Sequence, residues 1–265
     1  FLKAKLTSEI KIITIEDPVE YHVLGLEQTQ VHEESGYTFA NGLRSIMRQD
    51  PDVILVGEVR DKETAEIAIQ AALTGHLVFS TVHANEAAGA IPRFLDLGVR
   101  PTSLGPALNL VIGQRLVRKL CTSCKKPQKM SESLEAFVKD FLKKLPARVD
   151  TAPYAAPTLF SAAGCTICAG SGYKGRVAVF ELLLNDPEFE SVKAGTGDHA
   201  LGSEREIEQL ILKQAGESEI LRYALSRGMV TMQQDGILKV LQGITTWSEV
   251  EEVTGTISGL ERSLN

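Results

Sequence analysis

Glu58 stands one glycine beyond the run Val53-Ile54-Leu55-Val56, inside the stretch RQDPDVILVGEVRD from Arg48 to Asp61. Such a run is too short for a free-standing helix and rich in β-branched residues, so it predicts a buried parallel strand whose tip delivers a carboxylate. Parallel α/β sheets bind ligands at those tips. Two other runs end the same way: Ile10 to Ile15 closes on Glu16, Asp17 and Pro18, and Leu77 to Val82 closes on His83, Ala84 and Asn85. Proline at position 18 forbids further ladder pairing and marks the exit of its strand. Taken singly, each tip reads equally well as a polar residue in a solvated loop. The coincidence of three predicts that Glu16, Asp17, Glu58 and His83 gather at the carboxyl edge of one sheet.

A second group of residues suits a different chemistry. Cys121-Thr-Ser-Cys124 and Cys165-Thr-Ile-Cys168 are two C-x-x-C pairs, and that spacing lets one turn supply two thiolates to a tetrahedral zinc ion. The stretch between the pairs is longer than in compact zinc ribbons, but loop closure costs only logarithmically more with length. Gly164, Gly170 and Gly172 supply the backbone freedom such knuckles need. With all four positions filled by protein the ion would be structural. A redox C-x-x-C or a set of buried thiols is the other reading, and two matched pairs weigh against both.

The elements that must position these groups follow a simple order. Residues Phe1 to Leu6 look like the tail of an amphipathic helix, and Leu24 to Ser35 is polar and irregular, a loop or short hairpin. Helices are expected over Phe39–Met47, over Glu63–Leu73 with Gly75 as its C-cap, and over Glu86–Leu97. Alternation of strands and helices indicates an α/β fold with a largely parallel sheet, its strand over 77–82 buried like the others. Beyond Leu97 the texture changes, with a helix-like run over Ala107–Leu120, a short helix near Leu134–Leu142, a Pro- and Ala-rich surface excursion over Pro146–Pro157, and a strand over Val177–Leu184. The remainder reads as helical. Ser203 with Glu206 and Thr246 with Glu249 have capping-box spacing. Three domains result: 1–116 around the strand tips, 117–178 around the cysteines, and a mainly helical 179–265.

Composition narrows the function classes. The chain of 265 residues carries a formal net charge of -6, with 23% charged residues, so no broad basic field favours nucleic acid or an acidic membrane surface. No apolar run approaches the roughly 20 residues of a membrane span, and no signal peptide opens the sequence. The expected compartment is the cytosol. Four cysteines are too few for a disulfide framework in so long a chain.

Several long motifs, in order, resemble the assembly ATPases of type II secretion and type IV pili, the GspE/PilB family. ITIEDPVEY (Ile13 to Tyr21) resembles that family's Asp box, LRSIMRQDPDVILVGEVRD (Leu43 to Asp61) its Walker B segment, and TGHLVFSTVHANEA (Thr74 to Ala87) its His box. The two C-x-x-C pairs followed by GYKGRVAVFELL are similar to the metal-binding subdomain of the assembly branch, and DGILKVLQGITTWSEVEEVTG to its closing helices. The resemblance implies a RecA-like P-loop NTPase core working as a homo-hexamer, with ATP and Mg2+ at the strand tips and structural Zn2+ on the cysteines. It implies, as partners, an inner-membrane platform protein and a cytoplasmic membrane-anchoring component, with peripheral association through them and no nucleic acid.

Residue roles follow from the same match. Glu58 would polarise the attacking water, and Asp17, with Glu16 and Glu20 beside it, would organise magnesium. His83 would sense or orient near the γ-phosphate, while His76, at the other end of the same strand, is a weaker match. Arg44 and Arg60 correspond to arginines that offset phosphate charge. Gly57 stands where many P-loop enzymes carry a magnesium-holding aspartate, which is also this family's pattern. One departure is an absence: no G-x-x-x-x-G-K-[ST] occurs in the sequence. The resemblance places that loop immediately before the helix matched by Phe1 to Leu6, so the chain is expected to be a fragment starting just after it and inactive alone. Two other readings stay open: a RecA-like nucleic-acid motor with a zinc ribbon, drawing on basic runs at Arg115–Lys119 and Lys125–Lys129, and a non-catalytic regulatory subunit.

Overall fold

A computed structural model of the chain describes residues 1–185 and 206–259. Contacts divide it into two compact units, Phe1–Val111 with Leu184–Leu221, and Ile112–Leu183 with Arg222–Asn265. The helical C-terminal stretch is shared between the units.

The first unit is built on a parallel sheet. A short helix α1 (Leu2–Lys5) buries nothing, and β1 (Ile12–Glu16) then enters the core. The sheet runs β2-β1-β3-β4, with β2 (Glu27–Gln30), β3 (Val53–Val56) and β4 (Leu77–Ser80), every pairing parallel. Ile13, Ile15, Ile54 and Val56 are almost wholly buried, as inner strands covered on both faces require. Between β2 and β3 lies α2 (Phe39–Ile46), capped by Thr38 and burying Phe39, Leu43 and Ile46. Gly42 brings it close to the sheet, for a Cβ there would stand 2.1 Å from Ile15 Cδ1. Asp61 caps α3 (Lys62–Leu73), which buries Ala65, Ala68 and Ala71, and α4 (Ala87–Asp96) and α5 (Pro101–Ala107) follow.

Two expectations for this unit need correction. The segment expected as loop or hairpin contains β2, which carries no core residue and pairs in parallel through its backbone at one edge of the sheet. Nor is the strand over 77–82 buried: β4 ends at Ser80 and is the other edge strand among the described residues, with Leu77 and Ser80 exposed. An edge strand packs on fewer neighbours than its apolar composition suggests.

In the second unit, β5 (Leu110–Leu120) is a strand where helix-like spacing was read, and it pairs with β8 (Tyr173–Leu184). Leu, Gln, Arg and Lys favour helix locally, but partners distant in sequence settle the matter: Leu120 N donates to Ile244 O, and Thr245 Oγ1 to Arg118 O. Between them lie β6 (Lys126–Gln128), α6 (Glu132–Lys144) capped by Ser131, and β7 (Leu159–Ser161), antiparallel to β6. The stretch over 146–157 is not merely a surface excursion, because Tyr154 is buried and its hydroxyl accepts from Gln242 Nε2 at 2.8 Å.

After residue 205 the described chain is helical, as expected. In the first unit, Gly105 of α5 lies against Glu208 of α7 (Glu206–Leu212), and Gly89 of α4 against Glu217 at the start of α8 (Glu217–Ser226). In the second unit, α9 (Met232–Leu241) and α10 (Trp247–Thr254) close a core with Leu134, Val138, Phe141 and Leu159. The capping box expected at Ser203 lies outside the described residues. The one at Thr246 does not form: Thr246 Oγ1 meets Tyr173 OH at 2.9 Å, and Glu249 turns to Arg118. A reciprocal box forms instead between Thr231 and Gln234.

Candidate functional site

The register aligns Ile15 with Val56 and Val56 with Ser80, so the tips of β1, β3 and β4 are level. Backbone bonds join the loops beyond them. Gly57 N donates to Ile15 O at 2.7 Å, Val59 N to Thr81 O at 2.9 Å, and Thr81 Oγ1 to Gly57 O at 2.7 Å. Gly57 fits closely, since an added Cβ would stand 3.2 Å from Ile15 O and 3.3 Å from Glu16 Cα and would press β1 back by a few tenths of an ångström. Four of the residues singled out from the sequence meet here. Glu58 Oε2 accepts from Arg60 Nε at 2.5 Å and lies 3.5 Å from His83 Nε2, while Arg60 NH1 is 3.9 Å from Asp17 Oδ2.

The Glu58 side chain is only 16% exposed, against 87% for His83 and 58% for Arg60. Its carboxylate is therefore the most shielded of the three groups, and a guanidinium and an imidazole reach it from the solvent side. The bond to Glu58 holds Arg60 firmly in its charged form. A shielded carboxylate with a neighbouring acid and movable cations can orient water and balance the charge of an anionic ligand.

The other expected residues lie elsewhere or are otherwise engaged. Arg44, on α2, pairs with Glu63 and Asn41, and Glu20 is exposed in the loop after β1. Glu16 turns back toward its own sheet, its Oε1 accepting from Thr14 Oγ1 at 2.5 Å and Gln28 Nε2 at 3.1 Å. At the opposite end of β4, His76 Nδ1 is 2.9 Å from Ala71 O and 3.3 Å from Thr74 Oγ1, so the ring closes the end of α3. Gln28 and Gln30 drew no attention in the sequence. Only the alternation of amides in QTQ marked them, and alternation without apolar residues carries no core signal.

The four cysteines of the second unit converge. All are free thiols, and their Sγ atoms lie within 4.8 Å of one another. Tetrahedral thiolates about 2.3 Å from a zinc ion would be about 3.8 Å apart. The observed separations are 4.0 Å for Cys121–Cys165, 3.8 Å for Cys124–Cys168 and 3.7 Å for Cys165–Cys168, so the set fits a metal ion. Gly164, Gly170 and Gly172 all adopt positive φ around the second knuckle. Burial pushes the Cys168 thiol up, but backbone N–H groups of Cys165 and Gly172 aimed at its sulfur bring it down to about 6. Burial and thiol neighbours push Cys124 up to about 12. Arg118 braces the module: it binds Glu249 through its backbone N–H and guanidinium, and lies 4.6 Å above the Tyr173 ring.

Comparison with known proteins gives consistent matches. A family model described as "Type II/IV secretion system protein" matches residues 1–252. Type II secretion system protein E of Pseudomonas aeruginosa is 45% identical over 243 residues, which cover 92% of this chain and 42% of that protein. The type IV pilus assembly ATPase PilB of Thermus thermophilus is 43% identical over 249 residues, 94% of this chain and 25% of that protein. The chain thus spans less than half the length of these curated relatives. Among solved structures, the pilus retraction motor PilT with bound ADP superposes with a TM-score of 0.61 at 27% identity, covering 98% of this chain and 57% of that one.

Proposed function

The chain belongs to the type II/IV secretion system protein family, and from that premise we propose that the protein carrying it hydrolyses ATP to power assembly of a type II secretion pseudopilus or a type IV pilus. The observation that carries the reading is the meeting of Glu58, Asp17, Arg60 and His83 at three level strand tips. In phosphoryl transfer to water the protein mostly positions the nucleophile and neutralises charge. Glu58, shielded from solvent, polarises the water. Arg60 leaves Glu58 to meet phosphate charge, and His83 orients near the γ-phosphate. Asp17 is the residue that would hold magnesium, with Glu16 at the end of β1 and Glu20 in the loop beyond it; the metal, when bound, would supply further charge neutralisation. The Asp17 carboxylate is 39% exposed and only distantly paired, which leaves it open to a cation. Arg44 offsets phosphate charge on the same or a neighbouring subunit, whereas His76, committed to Ala71 O, acts only through the fold.

The core is RecA-like and the working form a homo-hexamer, acting in the cytoplasm on an inner-membrane platform protein and held there by a membrane-anchoring component. No helix among the described residues is long and apolar enough to cross a membrane, in keeping with attachment through partners. The four cysteines hold a structural zinc. Since nothing in the sequence reads G-x-x-x-x-G-K-[ST], this chain alone should hydrolyse ATP negligibly; substantial Glu58-dependent turnover by it would contradict that. In the complete protein, Glu58→Gln should lower kcat by at least about 100-fold while nucleotide affinity is kept. Equal loss of binding and hydrolysis would refute the role given to Glu58.

A further inference from the structure

Two side chains of β2, Gln28 and Gln30, are engaged with the end of β1 and the acidic loop after it. Gln28 Nε2 donates to Glu16 Oε1 at 3.1 Å and to Tyr21 O at 3.0 Å, and Gln28 Oε1 accepts from Val23 N at 2.7 Å. Two residues on, Gln30 Oε1 accepts from Val19 N at 3.2 Å. Positions 28 and 30 share a face of the strand. Between these anchors runs the segment that carries Asp17 and Glu20. Its backbone has few bonds of its own: Val31 N reaches back to Glu16 O at 2.9 Å, and Leu26 N to Val23 O at 3.1 Å.

We propose that Gln28 is a positioning residue for hydrolysis, its amide fixing Glu16 and the Asp17–Glu20 loop in the arrangement that magnesium requires; this rests on the ATPase reading above. An amide suits the place because donors and an acceptor are needed at once. Nε2 faces a carboxylate oxygen and a carbonyl, and Oε1 faces an N–H. A carboxylate there keeps the shape but loses both donors and sets a second negative charge against Glu16. Thr14 Oγ1 donates to the same Glu16 oxygen, so Gln28 supplies the second of two donors that hold it. Gln30, whose side chain accepts from Val19 N, steadies the loop.

The test uses two variants, Gln28→Glu and Gln28→Ala. In Gln28→Ala of this chain, which removes the acceptor as well as the donors, hydrogen exchange at the Val19 and Val23 amides should quicken about 5- to 10-fold, with exchange in β3 unchanged; both variants are read by turnover. In the complete protein, kcat should fall about 10- to 100-fold and half-maximal activity should need more magnesium, while KM for ATP stays near its value. Wild-type exchange at the two amides, or wild-type kcat and magnesium dependence, overturns the proposal. Glu58→Gln measured alongside separates the two levels. If hydrolysis survives it, or the wild type has none, the ATPase reading of the site fails and the positioning role with it. If Glu58→Gln abolishes hydrolysis while both Gln28 variants turn over normally, only the positioning role fails.

Discussion

Replacing Gly57 by alanine measures how tightly β1 and β3 are set at the candidate site. The new methyl would face Ile15 O at 3.2 Å and Glu16 Cα at 3.3 Å, both main-chain atoms of the neighbouring strand. Neither yields alone, because Ile15 O already accepts from Gly57 N, and Gly57 O is held by Thr81 Oγ1. Gly57 is not among the positive-φ glycines, so alanine is conformationally allowed and its loss of unfolded-chain freedom would stabilise by about 0.4–1 kcal/mol. Crowding a packed position costs about 1–3 kcal/mol. The net expectation is a loss of about 1 kcal/mol, roughly fivefold in the local opening equilibrium. Native-state hydrogen exchange at the β1 and β3 amides reads this directly. Trp247, the single tryptophan, sits in the core of the second unit and serves as an internal control. Exchange as slow as in the wild type, or slower, would show that β1 has room to spare, and the steric account of glycine at this position would be wrong.

Two further predictions concern the second unit. Arg118→Ala strips the guanidinium bonds from the buried Glu249 and should lower the unfolding midpoint followed by Trp247 fluorescence at neutral pH. Burial pushes the Glu249 carboxyl up, but its bonds from Arg118 outweigh this and leave it below the ordinary carboxylate range. The contribution of the pair is therefore complete above the unfolded value near 4.3 and fades as pH falls through the folded one; a gap between variant and wild type that persists unchanged at about pH 2 would contradict the pairing. Metal analysis should find about one zinc per chain. Chelation, or Cys121→Ser with Cys168→Ser, should lower the same midpoint, and a metal-free protein as stable as the untreated one would remove the structural role.

What could be read from the sequence was whatever burial imprints on it. The run VILV and the run closing on Glu16 show their strand character because inner strands are packed on both faces, so the carboxylates at their tips could be located. The cysteine pairs are legible because each C-x-x-C spacing brings two thiols to one turn, and the fold gathers all four. Edges left weaker traces. In β2, glutamine and threonine serve as hydrogen-bonding tools, and in β4 apolar residues suggested a burial that an edge position does not provide. β5 carries helix-like spacing yet is extended because residues such as Arg118 and Leu120 are bonded to Thr245 and Ile244, far away in the chain. The Thr246 and Glu249 spacing failed for the same reason: a capping signature is local, and a cation from β5 had taken the acid.

The bonds that join the three strand tips divide into two kinds with different vulnerability to mutation. Those from Gly57 N to Ile15 O and from Val59 N to Thr81 O run main chain to main chain, so they do not depend on which side chain a codon specifies. Only proline removes such a donor outright. The tie from Thr81 Oγ1 can be lost by a single substitution to alanine. Drift at Val59 can thus refine packing while the loop that carries Glu58 stays anchored, and proline at position 59 would break the bond that alanine there leaves whole.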